Sequence, residues 1–271
     1  MNQTTRVDRR HPACFILLLD QSYSMSAPML GAVGRSKAEA LADTTNRLLM
    51  QLVQRCVVDD KGPRHYFDIA LIGYSDRVRP LLKNGDGFAN PMVSAPQLAD
   101  SFLRIHEEPD GQSWPVWLEP VADGQTMMCA ALDLAHDFAA GWVAAHQDSP
   151  APVVINITDG EATDGTLDDV AGRVDRLVAL RTIEGPLSMF NVAVAARAAE
   201  PVLFPSDPAG LPDRYTAGLF HTSSVLTSRM LEYARTDAER HGQPRPGEGA
   251  RGFVCNADLA AVVKALNVGT L

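Results

Sequence analysis

The chain has 271 residues, 46% of them hydrophobic and 21% charged, with a formal net charge of −9. This is the balance of a globular protein able to bury a sizeable core, and it excludes a disordered chain. The negative charge and the lack of a basic patch argue against nucleic acid and anionic membrane as partners, and no apolar run is long enough to span a bilayer.

Residues 1–12 are polar, with Arg6, Arg9 and Arg10 and no apolar stretch before a cleavage site. The segment does not read as a signal peptide, so the expected location is the cytoplasm. The next seven residues, Ala13-Cys14-Phe15-Ile16-Leu17-Leu18-Leu19, are apolar without alternation, the pattern of a strand buried on both faces of a parallel sheet. Asp20-Gln21-Ser22-Tyr23-Ser24 follows at its carboxyl end, where such sheets carry their ligand sites. A carboxylate and two hydroxyls are hard oxygen donors, suited to Mg²⁺ or Mn²⁺ and poorly suited to zinc. A polar turn closed by an Asx hydrogen bond would use the same residues.

Residues 26–36 hold Pro28, Gly31 and Gly34 and read as a surface loop. Ser36 is a plausible cap for a helix whose stripe runs through Ala38, Leu41, Ala42, Thr45, Leu48, Leu49, Leu52, Val53 and Cys56. A charged turn at 59–63 leads to a strand over 66–74, and Ser75-Asp76-Arg77 allows a tight reversal into 78–82. Asp76 reads as a turn residue. The stretch 83–123 is rich in Gly, Pro, Asn and acidic residues, broken by a short helical segment near 97–105. Trp114 and Trp117 near its end read as packing a long loop onto the core, with a partner anchor as the alternative.

Gly124-Gln125-Thr126 precedes a helix with Ala131, Leu134, Ala135, Phe138, Ala139 and Trp142 on one face, which gives Thr126 an N-cap position. Val153 to Thr158 is a second apolar strand, ending in Asp159-Gly160. Thr166 with Asp169 approximates a capping box for the helix that follows. Glu161 and Asp164 add negative potential near the site, and Glu161 stays open between that role and none. A strand over 188–194, a proline-rich loop over 201–212, a strand including Leu219 and Phe220, and a helix to about Arg240 complete this part. Residues 241–252 read as a linker, and Asn256 as the cap of a closing helix with Leu259, Val262, Val263 and Leu266 on one face. The four cysteines are widely spaced, three of them in apolar patterns, which predicts buried free thiols; the seven histidines are scattered without ligand spacing.

Together, Asp20-x-Ser22-x-Ser24, Gly124-x-Thr126 and Thr158-Asp159-Gly160 resemble, in order and spacing, the metal-ion-dependent adhesion site of von Willebrand factor A (VWA) domains. The resemblance implies an α/β, doubly wound, Rossmann-like fold with a mostly parallel central sheet, one antiparallel edge strand and helices on both faces. It implies that Ser22, Ser24 and Thr126 ligate Mg²⁺ or Mn²⁺ through hydroxyls while Asp20 and Asp159 act largely through water. One position is then left for an Asp or Glu carboxylate of a protein partner. The expected organisation is a polar segment over 1–12, the VWA domain over 13–240, and a C-terminal extension over 241–271 whose closing helix packs on the domain. The tail also looks like intracellular bacterial VWA proteins of the tellurium-resistance-associated (TerY) type, which implies a kinase and a phosphatase as company in a stress-response system.

The expected function is therefore metal-dependent protein binding, without catalysis. A metal-dependent phosphohydrolase, the alternative, wants a second metal or an attacking carboxylate with lysine and histidine beside it. Ser22 stands where a second Asp would be needed, and no G-x-x-x-x-G-K-[ST] loop exists. A structural protein that binds through another surface is the third reading.

Overall fold

The computed structural model describes residues 7–83, 91–107, 111–195 and 199–271; residues 1–6 of the N-terminal segment, and 84–90 and 108–110 of the Gly- and Pro-rich stretch, lie outside them. Strand β1 (Ala13–Asp20) is followed by a 3-10 turn (Tyr23–Ser26), helix α1 (Lys37–Cys56), β2 (Phe67–Tyr74), β3 (Val78–Pro80), β4 (Val93–Ser94) and α2 (Ala95–Asp100). A hairpin of β5 (Arg104–Glu107) and β6 (Ser113–Val116) precedes α3 (Met128–Ala145), β7 (Val153–Thr158) and α4 (Leu167–Ala179). Two short strands, β8 (Arg181–Thr182) and β9 (Gly185–Pro186), lead to β10 (Ser188–Val194), β11 (Val202–Leu203), α5 (Arg214–Thr222), α6 (Ser228–Arg240), β12 (Phe253–Ala257) and α7 (Leu259–Gly269).

The central sheet runs β11-β12-β10-β7-β1-β2-β3, with β4 also paired to β2. Its five inner strands, β12, β10, β7, β1 and β2, are parallel. β3 joins β2 antiparallel, as the Ser75-Asp76-Arg77 reversal leads one to expect; β4 also joins β2 antiparallel, and β11 adds an antiparallel strand at the other edge. After β1 the chain moves to β2 on one side and returns with β7 on the other, so the order reverses at β1. A crevice between the carboxyl ends of β1 and β7 is the consequence.

Alternation along β1 divides the core between the two faces of the sheet. Phe15, Leu17 and Leu19 pack with α1, α2, α6 and α7, whereas Cys14, Ile16 and Leu18 pack with α3 and α4. Both faces are covered, which is why β1 carries no polar residue before Asp20. α1 begins with a full capping box between Ser36 and Glu39, and α4 with one between Thr166 and Asp169. All four cysteines are buried and free.

Several boundaries differ from the sequence reading, each through tertiary contact. The helix expected near 97–105 stops at Asp100, because 104–107 is drawn into the hairpin with β6. Trp114 and Trp117 are both buried there; Trp117 Nε1 donates to the Leu98 carbonyl at 2.7 Å, and the Arg47 guanidinium lies 4.0 Å over the Trp114 ring. The pair packs the loop onto α1.

Leu219 and Phe220 belong to helix α5, capped by Asp213, and not to a strand. The sheet's last strand is β12, inserted between β10 and β11, and Phe220 packs edge-on against its Phe253. The proline-rich loop contains β11. Asn256, with φ +50°, lies within β12, and the cap of α7 is Asp258, which accepts from the Ala261 amide at 2.8 Å. α7 then lies so close to the sheet that a Cβ on Gly269 would meet Ile155 Cδ1 at 2.6 Å. Residues of the expected C-terminal extension thus contribute a sheet strand as well as a packed helix.

A buried polar chain crosses the apolar sheet. The Tyr74 hydroxyl donates to Asn156 Oδ1 at 2.8 Å, Asn156 Nδ2 donates to Asn191 Oδ1 at 3.2 Å, and Asn191 Nδ2 donates to the Leu219 carbonyl and Ser223 Oγ. It ties β2, β7 and β10 to α5, and each link satisfies a group that has lost water. Tyr74→Phe leaves Asn156 Oδ1 without its donor and is expected to cost about 1–3 kcal/mol. Urea denaturation measures this as a lower midpoint at an unchanged m-value.

Candidate metal centre

Four loops and one helix end meet at the crevice. Asp20, at the end of β1, is 1% exposed. Its Oδ1 accepts from the Ser22 amide at 2.8 Å and its Oδ2 from Thr158 Oγ1, at the end of β7, at 2.7 Å. The first bond curls the chain back so that Ser22 and Ser24 face the same point, their hydroxyl oxygens 3.0 Å apart. Ser24 Oγ donates to Asp159 Oδ1 at 2.5 Å. Asp20, Ser22, Ser24 and Asp159 are thereby joined in one hydrogen-bonded ring of loops.

Thr126 is held beside the Asp159 loop by its backbone. Its amide donates to Thr163 Oγ1 at 3.1 Å and its carbonyl accepts from the Thr163 amide at 2.9 Å, which docks it on the loop after Asp159. Its hydroxyl lies 3.8 Å from where a side chain on Gly160 would begin. The expected N-cap role is corrected: α3 starts at Met128, and its free amides at Cys129 and Ala130 are satisfied by Asp164 at 3.0 and 2.8 Å. Asp164 therefore serves the helix, while the Thr126 hydroxyl takes no part in capping α3.

Asp76 does more than turn a hairpin. Its Oδ1 accepts from the Gln125 amide at 2.9 Å, and Gly124, with φ +75°, leaves room for its carboxyl, since a Cβ there would fall 2.6 Å from Asp76 Cγ. The Gly124 carbonyl in turn accepts from the Tyr23 amide, and the Asp123 amide donates to the Gln21 carbonyl. The Thr126 loop is thus stitched to the Asp20 loop by backbone bonds.

Sequence reasoning missed Lys37 at this site. Its Nζ lies 2.7 Å from Asp159 Oδ2, with side-chain exposures of only 5% for the lysine and 1% for the aspartate. The available signal was a lysine directly after the Ser36 cap, where a positive charge opposes the helix dipole and gains nothing locally. Thr158 was also missed as a partner of Asp20.

The donor set fits a hard divalent ion. Oxygen ligands on adjacent corners of an octahedron with bonds of about 2.1 Å lie about 3.0 Å apart, and the Ser22 and Ser24 hydroxyls stand 3.0 Å apart. Among the described residues no three His, Cys, Asp or Glu side chains converge as an ion site, so the cluster has the chemistry of hydroxyls with two carboxylates and none of a thiolate or imidazole centre. Ser24 is exposed and Tyr23 is 71% exposed, so the point at which the two hydroxyls meet is open to solvent.

Burial pushes the Asp20 carboxyl up from its ordinary 3.8, against the hydrogen bonds from Ser22 and Thr158 that hold it down. Between the ordinary value and the raised one the folded chain holds more proton than the unfolded chain, so this group's contribution to stability falls as pH rises through that window. In EDTA, Asp20→Asn is therefore expected to be more stable than the parent near pH 7, with the gap shrinking as pH falls toward about 4. Thermal melts of both proteins across that range check it.

No protein-family model matches the sequence, and no curated protein does. Among solved structures, the chain is similar to a von Willebrand factor type A protein from Catenulispora acidiphila, with 15% identity and a TM-score of 0.44 over 68% of this chain and 34% of that one. It is similar also to proximal thread matrix protein 1 from the mussel byssus, described with a zinc-occupied MIDAS motif, with 14% identity and a TM-score of 0.46 over 79% of this chain and 42% of that one. The TFIIH p34 N-terminal domain matches at 13% identity and a TM-score of 0.38, over 69% of this chain and 82% of that one. The chain spans about a third to two fifths of the first two proteins.

Proposed function

We propose that Asp20, Ser22, Ser24, Thr126 and Asp159 hold Mg²⁺ or Mn²⁺, and that the site so loaded binds the carboxylate of an Asp or Glu on a protein partner. The observation that carries this reading is the convergence of the Ser22 and Ser24 hydroxyls, 3.0 Å apart, at a solvent-facing point backed by two carboxylates that are otherwise buried. A divalent ion there supplies positive charge and an open coordination position. Asp20 and Asp159 hold the serine loop in place through the Ser22 amide and the Ser24 hydroxyl. Thr158 in turn fixes the Asp20 carboxylate.

The surroundings suit docking. Tyr23, between the two serines, presents its ring to solvent, and a cleft of about 230 Å³ lined by Asp159, Glu161, Asp213, Tyr215 and Asn256 adjoins the site. An exposed aromatic beside a charged anchor is the kind of residue that concentrates binding energy in interfaces. The thiols nearby are poor nucleophiles, since burial pushes Cys129 and Cys255 each up to about 11. A kinase and a phosphatase, the company that the sequence resemblance implies, are the first partners to test.

Mg²⁺ and Mn²⁺ are expected to raise the melting temperature, since a ligand that binds only the folded state stabilises by about 1.4 kcal/mol at ten times its Kd. Thr126→Ala is expected to keep the fold, because Asp164 and not Thr126 caps α3, while losing most of this shift and most capture of the partner. Thermal melts with each ion and EDTA, followed by pull-downs in Mg²⁺ and in EDTA, check both. A shift that Thr126→Ala and Asp159→Ala retain in full places the ion elsewhere.

A further inference from the structure

The Lys37–Asp159 pair is unusual for its setting. An ammonium at the first residue of α1 faces the positive end of the helix dipole, and burying it carries a desolvation cost. A pair retained against both costs, in direct contact with a residue of the candidate metal centre, acts on that centre's charge. Asp159 is shared: one oxygen accepts from the Ser24 hydroxyl at 2.5 Å and the other from Lys37 at 2.7 Å. A single carboxylate separates the ammonium from a hydroxyl in the candidate donor set.

We propose that Lys37 is a built-in counter-charge that lowers the affinity of the free site for divalent metal and couples metal binding to the arrival of a carboxylate. The inference rests on the metal-binding reading above. The two buried aspartates carry two negative charges and Lys37 cancels one of them. A divalent ion therefore leaves the centre with one net positive charge, and a carboxylate from outside brings it to neutrality. Without Lys37 the ion alone would balance the aspartates, and a further carboxylate would add an uncompensated negative charge. Lys37 thus moves one unit of electrostatic attraction from the metal step to the carboxylate step: the ion alone binds more weakly, and a given carboxylate concentration tightens its binding more than it would without the lysine.

The test titrates the full chain with Mn²⁺ by calorimetry, in buffer with and without acetate as the carboxylate probe. Lys37→Met keeps the length and apolar body of the side chain and removes its charge, and it is expected to bind Mn²⁺ about tenfold or more tightly without acetate. Acetate is expected to strengthen Mn²⁺ binding more in the parent than in Lys37→Met. Lys37→Arg, which restores the charge, is expected to behave as the parent does. Should Lys37→Met fail to fold, Lys37→Gln, whose amide still donates to Asp159, replaces it. If Lys37 only positions Asp159, the neutral variants will bind Mn²⁺ equally or more weakly, and that result overturns the proposal, as does an equal effect of acetate on both proteins. If neither the parent nor any variant binds Mn²⁺, the metal-binding reading falls and this inference falls with it.

Discussion

Two carboxylates, Asp20 and Asp159, stand at the carboxyl ends of adjacent parallel strands with almost no exposure to water. Burying charge in this way is unfavourable unless each oxygen finds a partner, and the loops around the crevice are shaped by that requirement. The Ser22 amide turns back to Asp20, Thr158 donates across from β7, Ser24 crosses to Asp159, and Lys37 comes in from the start of α1. The position of the serine hydroxyls follows from satisfying the aspartates. What results is a set of hydroxyls aimed at one solvent-facing point.

The parallel sheet makes this arrangement possible. Because strand order reverses at β1, the loops after β1 and β7 must diverge to opposite faces, and the crevice between them is filled by side chains of both. The apolar division of β1 between two helical layers holds the strand ends rigidly beneath the site. Further loops are then fastened to it by main-chain bonds, Tyr23 to Gly124 and Asp123 to Gln21, with Asp76 clasping Gln125. The candidate binding residues sit on loops whose geometry is set by a packed scaffold.

Local chemistry was legible in the sequence. The unbroken apolar run before Asp20, the Ser36 and Thr166 caps and the Ser75-Asp76-Arg77 reversal each depend on residues within a few positions of one another, and each appears as read. The polar residues of the candidate site were legible for the same reason, as short strings after two strands and ahead of a helix. What escaped the reading is long-range. Asp164 caps a helix that begins 36 residues earlier, at a distance no local pattern encodes. Leu219 and Phe220 look like a strand fragment because both are buried, yet Asp213 starts a helix there and Phe253–Ala257 takes the sheet position. Lys37 is an ill-suited charge at a helix start, but only the fold brings it to Asp159.

On the reading proposed above, the Ser22, Ser24 and Thr126 hydroxyls share a divalent ion at the mouth of the crevice. Anomalous diffraction from crystals grown in Mn²⁺ tests it most directly. An anomalous peak is expected about 2.1–2.2 Å from both serine hydroxyls, with Lys37 still on Asp159. Well-ordered serine, threonine and aspartate side chains with no anomalous density between them would contradict it.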